Sequence, residues 1–255
     1  MKGKKIVFFL LLILIISIII FLCISKKKNK EDKEKDKIEI DEVKSKIVEK
    51  VKIMSADDIF IKIYEDGFDL DNIDYNMIAS SILINLKEDG EITDKEASKY
   101  DECVNTSYIN LSSVEDKLKI LFNEVPNIDY DVESINYYYD KNNKKFFELC
   151  INKLDGSNFI DTYIYDFDYD EDNVYLYISV AYGNEELIDN DDTKITIYKD
   201  YKHKDIYIRF IYNSNKPNDN FILDDSNYRD FSLYKYTFKR VDGDYYFKSL
   251  EKVFD

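Results

Sequence analysis

From Ile6 to Ile24 the chain runs for nineteen residues, IVFFLLLILIISIIIFLCI, without a charge, and Ser17 carries the only hydroxyl in the run. As a helix this stretch spans about 28 Å, close to the hydrocarbon thickness of a bilayer, so it is read as a membrane-spanning anchor. A cleaved signal peptide is the competing reading, because Met1 to Lys5 is short and basic. The run is longer than a usual signal-peptide core and no small-x-small cleavage pattern follows it, which argues for retention. Ile20, Phe21 and Leu22 precede Cys23, where a lipoprotein site needs a small residue. Lysines flank both ends, so the positive-inside count is close to a tie. Long downstream domains are translocated largely regardless of charge, and the expected arrangement has the amino terminus inside and residues 26–255 outside. A cytoplasm-facing domain is the alternative.

The anchor divides the chain into three parts. Residues 1–25 are the anchor with its basic amino terminus. Residues 26–37, KKKNKEDKEKDK, form a tether with no apolar side chain to bury. Residues 38–255 form an acidic domain, helical over 38–125 and a β-meander over 126–255. The first 37 residues hold ten lysines against four acids, whereas the rest holds 26 basic and 48 acidic side chains. Such a field repels nucleic acid and anionic headgroups and attracts cationic ligands and divalent metals; it also keeps a surface domain soluble. No nucleic-acid partner is expected.

Helical periodicity opens the domain. Ile40, Val43, Ile47, Val51 and Met54 recur every three or four residues and put one apolar stripe on one face. The stripe is too short for a coiled-coil stalk, so it is expected to dock on its own domain. Ser55 with Asp58 opens a helix through Ile59, Phe60, Ile63 and Tyr64 that ends near Gly67. Thr93 with Glu96 opens one through Ala97, Tyr100, Cys103 and Val104, and Ser112 with Glu115 opens one through Val114, Leu118, Leu121 and Phe122, stopped before Pro126. Tyr75 to Leu86 is apolar on nearly all sides and is expected to be central.

Beyond Pro126 the period shortens to two, and Tyr, Phe, Ile and Val alternate with Asp/Asn/Gly clusters, as in antiparallel hairpins. Strands are expected near 134–139, 145–151, 160–169, 174–182, 193–199, 205–212, 231–240 and 245–253. Turns are expected at Asp140 to Asn143, at Asp170 to Asn173 and at Asp242-Gly243, the last a type I′ turn. Residues 213–227 read as a long loop. The fold class is therefore α+β, with several helices packed on a curved, mostly antiparallel sheet.

An amino-terminal anchor, then helices, then tyrosine-rich hairpins such as VYLYISVAY at Val174 to Tyr182 and YTFKRVDGDYYFKSLEKV ending at Val253 resembles a known pattern. It is that of the membrane-anchored or lipoprotein extracytoplasmic domains of low-GC Gram-positive bacteria, some with a cone-shaped, nuclear transport factor 2-like fold. The resemblance implies location and fold class more than activity. Eight expected strands exceed the half-dozen of that cone, which leaves two subdomains open.

Much chemistry is excluded by supply. His203 is the only imidazole, in the turn YKHKD, so a His-based zinc site or an HExxH centre cannot be written. It is expected to be an exposed histidine between two lysines. Six isolated glycines give neither a P-loop nor a GxGxxG fingerprint. Asp166, Asp168 and Asp170 have the one-three-five spacing of a calcium loop, but Glu171 and Tyr177 stand where Gly and Glu are needed. On a strand these aspartates would share a wet face opposite Tyr165, Phe167 and Tyr169. Asp189, Asp191 and Asp192 form a second acidic cluster. Cys103 and Cys150 can pair in an oxidising space or stay as thiols, while Cys23 lies in the anchor.

Among 23 Tyr and 16 Phe, Tyr137 to Tyr139, Tyr175, Tyr177, Tyr234, Tyr236 and Phe238 would bring rings to the sheet, either as core or lining a cone that holds a small ligand or glycan. The expected function is a non-enzymatic, membrane-anchored extracytoplasmic domain that binds a protein partner or small ligand at the cell envelope, touching the bilayer through Ile6 to Ile24. The alternative is an enzyme with an Asp/Tyr-lined conical pocket. No catalytic, cofactor-binding or metal-binding residue is assigned, and no cofactor is expected.

Overall fold

A computed structural model describes residues 40–55, 67–90, 104–132, 137–149, 157–188, 192–200, 202–213 and 221–253. The chain forms two compact units, Met1–Lys46 and Ile47–Asp255. Among the described residues no helix is long and apolar enough to cross a membrane. The apolar run Ile6–Ile24, the tether 26–37, the expected helix through Ile59 and Tyr64, most of that opened by Thr93, and all three cysteines lie outside the described residues.

Helix α1 covers residues 40–54, and from Ile47 on it belongs to the second unit. There Ile47, Lys50 and Met54 are buried at the expected helical spacing. The Ser55 hydroxyl donates to the Val51 carbonyl (2.8 Å) and closes the helix. After the two-residue strand β1, Phe68–Asp69, comes α2, Tyr75–Glu88. Asp74 caps α2 by accepting from the Asn76 and Met77 amides, and Ile78 through Leu83 are buried without a break. This is the central helix that its all-round apolarity predicts.

Two features of the next segment differ from the sequence reading. Val104 does not end a helix; it begins strand β2, Val104–Asn110, paired with β4. Helix α3, Leu111–Phe122, starts one residue before Ser112, its cap position is Asn110 without a side-chain cap bond, and Asn123 ends it in the left-handed conformation (φ 67°). Both shifts have one cause: the strand claims Asn110, and the Leu111 amide is held by the Lys144 carbonyl (2.9 Å) across the small sheet.

The strands follow as β3 Tyr137–Asp140, β4 Lys145–Leu149, β5 Ser157–Tyr169, β6 Asn173–Leu187, β7 Asp192–Tyr198, β8 Ile206–Asn213, β9 Ser232–Val241 and β10 Asp244–Val253. All eight expected strands are present. The three expected turns close as read: Asp140 and Asp170 each accept the amides two and three residues on, and Asp242 and Gly243 both have positive φ (52° and 90°), as type I′ requires. The strands do not form one sheet. Strands β2, β4 and β3 make a separate three-stranded sheet, and the larger sheet runs β1-β10-β9-β6-β7-β8 with β5 also on β6. Every pairing is antiparallel.

Strand β6 is the axis of the larger sheet. Residues 174–180 pair with β5 and β9 at once, and residues 182–185 with β5 and β7, so β9 and β7 share one edge of a single long strand. One face of it carries Val174, Leu176, Ile178, Val180 and Tyr182, all buried beside Tyr234, Tyr236 and Phe238 of β9. Helix α3 reaches this face through Phe122, whose ring lies edge-on to Phe247 (6.0 Å). The buried hydroxyls of Tyr182 and Tyr234 satisfy each other at 2.9 Å. On the opposite face a second core forms, with Ala181 and Ile197 under Leu223 and Phe231. The described end of the expected loop, from Phe221, is thus packed chain that runs into a short 3-10 turn at Tyr228–Asp230.

One buried charge ties helices to sheet. The Lys50 ammonium donates to the carbonyls of Ile120 (2.7 Å), in the last turn of α3, and of Tyr245, with Asp244 3.5 Å away and the Tyr246 ring beneath it at 4.6 Å. The carbonyl end of a helix favours a cation. Lys50→Met keeps the stem and removes the donors, and is expected to cost about 2 kcal/mol in chemical denaturation. An unchanged midpoint would show that the ammonium contributes nothing net.

Candidate functional site

Antiparallel partners share a face, so the register sorts the aromatic side chains that the sequence offers as candidates. Tyr234, Tyr236 and Phe238 are fully buried on the helix-facing side. Tyr137 is buried in the small sheet, Tyr138 is exposed, and Tyr139 stacks on Phe146 (4.7 Å). Tyr175 and Tyr177 point to the other side of β6 and are half-buried. On the larger sheet the candidate rings therefore divide between a filled interior, with Tyr234, Tyr236 and Phe238, and one outer surface, with Tyr175 and Tyr177.

That outer surface gains residues the periodicity of two does not reveal. A bulge between Ile164 and Asp166 shifts the register of β5 by one, so Tyr165 leaves the face of Phe167 and Tyr169 and joins the aspartates. This corrects the expectation that Tyr165, Phe167 and Tyr169 share a face. The Tyr165 ring stacks on Tyr228 (4.9 Å, 18°) and lies 5.9 Å from Tyr177; Tyr163 lies 5.8 Å from Tyr228. Asp166 sits opposite Tyr177 and Asp168 opposite Tyr175. The result is a row of half-exposed tyrosines bordered by Asp166 and Asp168 and by two of the chain's own cations, Lys235 near the Tyr175 ring (5.8 Å) and Arg229 near the Tyr228 ring (5.5 Å), with a hollow of about 330 Å³ lined by Asp225–Asp230 at the Tyr228 end. Ser179 holds the row's far end in place by donating to the Tyr228 carbonyl (2.7 Å).

Asp170 is not part of a strand face. Its carboxylate accepts the Tyr175 hydroxyl (2.6 Å) and the Asp172 and Asn173 amides, which hold it down at about 2. Asp166 and Asp168 accept the amides of Phe167 and Tyr169. Among the described residues no three His, Cys, Asp or Glu side chains converge to hold a metal. Asp189 and Asp191 lie outside the described residues, and Asp192 accepts from the Asn213 amide (2.5 Å). His203 differs from its reading as an exposed side chain. Its backbone is left-handed (φ 55°), the ring stacks on Tyr198 (4.3 Å), and burial lowers its pKa.

Asp161 is the carboxylate the surface least favours as an ion. It lies half-buried opposite Ala181, accepts the Leu223 amide (3.3 Å), and has its pKa raised, first by burial, against hydrogen bonds that lower it. A raised folded pKa means that its stabilising contribution is full below the unfolded aspartate range and is lost as pH rises through the folded value. Asp161→Asn keeps an acceptor for Leu223 and removes the charge. It is expected to raise the melting temperature at neutral pH, with the gain vanishing in acid below the ordinary aspartate range. An equal shift at both pH values would exclude the carboxylate's charge as the cause.

Compared with protein-family models, curated proteins and solved structures, the chain matches none, so its function has to be read from its own residues.

Proposed function

We propose that this chain is a membrane-anchored, extracytoplasmic binding module that acts without catalysis, and that the tyrosine row of the β5–β6 face takes a cationic protein segment. The observation that carries this reading is the juxtaposition of Tyr165, Tyr177 and Tyr228 in ring contact with Asp166 on the same face. Aromatic faces attract ammonium and guanidinium groups, and neighbouring carboxylates add charge that a cationic partner neutralises. The formal net charge of −16 extends the same preference to longer range. The anchor reading rests on the apolar run Ile6–Ile24 and the lysine-rich tether. Helices over one face of a bulged antiparallel sheet support the cone-shaped, nuclear transport factor 2-like form of the fold. In that form the rings of Tyr234, Tyr236 and Phe238 fill the inside, and a partner binds outside.

The test uses the full chain in detergent with an oligolysine peptide as probe and oligoglutamate as control. Binding is expected to weaken with salt and to fall about tenfold in the Tyr165→Ala, Tyr177→Ala double variant, two exposed cation–π contacts being worth roughly 1–2 kcal/mol. Equal binding by the double variant would remove the tyrosine row from the reading. A tag after Asp255 is expected to be cleaved by protease added to intact cells; protection until lysis would place the domain inside.

A further inference from the structure

His203 is the chain's one imidazole, and it sits where a positive charge does not fit. It lies in the turn between β7 and β8 in the left-handed conformation (φ 55°), and its ring lies flat on the Tyr198 ring of β7 (4.3 Å, 10°). Its Nε2 is shut off from solvent and has no hydrogen-bond partner. A neutral ring tolerates this, because one of its two nitrogens carries no hydrogen. An imidazolium carries a hydrogen on both, so charging His203 in place would bury an N–H with nothing to accept it. A left-handed backbone at a residue other than glycine also persists only while its surroundings enforce it.

The same turn holds the acceptor that an imidazolium needs. Asp200 clamps the turn: Oδ1 accepts the Lys202 amide (2.8 Å), Oδ2 accepts the Asp205 amide (3.1 Å), and the carbonyl accepts the His203 amide (3.2 Å). Outside the clamp, the Lys199 amide donates to the Asp205 carbonyl (2.8 Å), and the Ser232 hydroxyl at the start of β9 donates to the Lys199 carbonyl (3.3 Å). The charged side chains of the turn are Lys199, Asp200, Lys202, Lys204 and Asp205, and the Lys199 ammonium is turned toward the Tyr207 ring of β8 (5.7 Å). Beyond the turn, the group that faces the imidazole is the Tyr198 phenol of β7. Asp200 is the charge that favours the imidazolium, and burial opposes it more strongly.

We infer that the β7–β8 turn is a pH-operated latch. With His203 neutral, the ring is seated on Tyr198 and the Asp200 carboxylate holds the Lys202 and Asp205 amides. With His203 protonated from solvent, the ring leaves Tyr198, takes the Asp200 carboxylate as its acceptor and releases those two amides. The change stays within the turn, because the Lys199–Asp205 bond and the Ser232 contact do not involve the Asp200 carboxylate. Burial lowers the folded pKa, so the seated state is fully favoured above the ordinary histidine value and is lost as pH falls through the folded one.

NMR of the isotope-labelled full chain in detergent micelles, titrated from neutral into acid, tests this. The imidazole is expected to titrate below the ordinary histidine value. As it charges, the Tyr198 ring resonances are expected to lose the shift that stacking imposes. Protection of the Lys202 and Asp205 amides, measured against their intrinsic exchange rates, is expected to fall about tenfold while the Lys199 amide keeps its own. His203→Asn, which tolerates the left-handed backbone and cannot charge in this range, is expected to abolish the step. Asp200→Asn is expected to lower the imidazole's pKa further, since the favourable charge is gone. An imidazole that titrates at or above the ordinary value, turn amides indifferent to its charging, a step that persists in His203→Asn, or an imidazole pKa unchanged by Asp200→Asn would each overturn the latch.

Discussion

The domain depends on one strand being shared. Strand β6 is long enough for β9 to take the first part of one edge and β7 the second, while β5 lines the other edge throughout. Its residues around Ile178 to Gly183 are buried on both faces, which is why the segment reads as an almost unbroken apolar run rather than an alternation. Gly183 shows how closely the layers approach. A Cβ there would lie 2.1 Å from the ring of Phe159, so the aromatic ring on β5 covers the gap that the missing side chain leaves.

From that shared strand the two faces acquire different tasks. On one, tyrosine and phenylalanine rings are used up as core, their hydroxyls paired as in Tyr182 and Tyr234. On the other, a second core around Ala181 and Ile197 draws in Phe159 and Tyr163 of β5 with Tyr207 and Phe210 of β8, and beyond it Tyr165, Tyr175 and Tyr177 stay half-exposed beside Asp166 and Asp168. The same residue type is thus buried core or half-exposed surface according to which way the pleat turns it. The Lys50 ammonium belongs to the structural side: it joins the end of α3 to the start of β10 by donating to a carbonyl of each.

The elements were legible where local chemistry decides them. The strands after Pro126, the Asx turns at Asp140 and Asp170, the Asp242-Gly243 turn and the central helix from Tyr75 all follow from period, turn residues and apolarity. Strand β2 was not legible, because its Asn105, Thr106 and Ser107 give no alternation and its pairing with β4, through Val104 and Tyr108–Asn110, is made with a segment distant in sequence. The tyrosine row was half legible. Tyr175 and Tyr177 come from alternation along β6, whereas Tyr165 comes from a bulge and Tyr228 arrives from a distant turn held by Ser179.

Residue order alone determined the apolar run, the charged tether, the acidic balance, the α+β class and the absence of histidine or glycine enough for several common chemistries, because each of these is a property of composition or of near neighbours. Tertiary structure alone decided that the strands divide into two sheets, that β9 and β7 share an edge of β6, which tyrosines are core and which are surface, and that β8 is left at the boundary. Those outcomes turn on which strand finds which, and a one-residue shift in register moves a side chain from one solvent to the other.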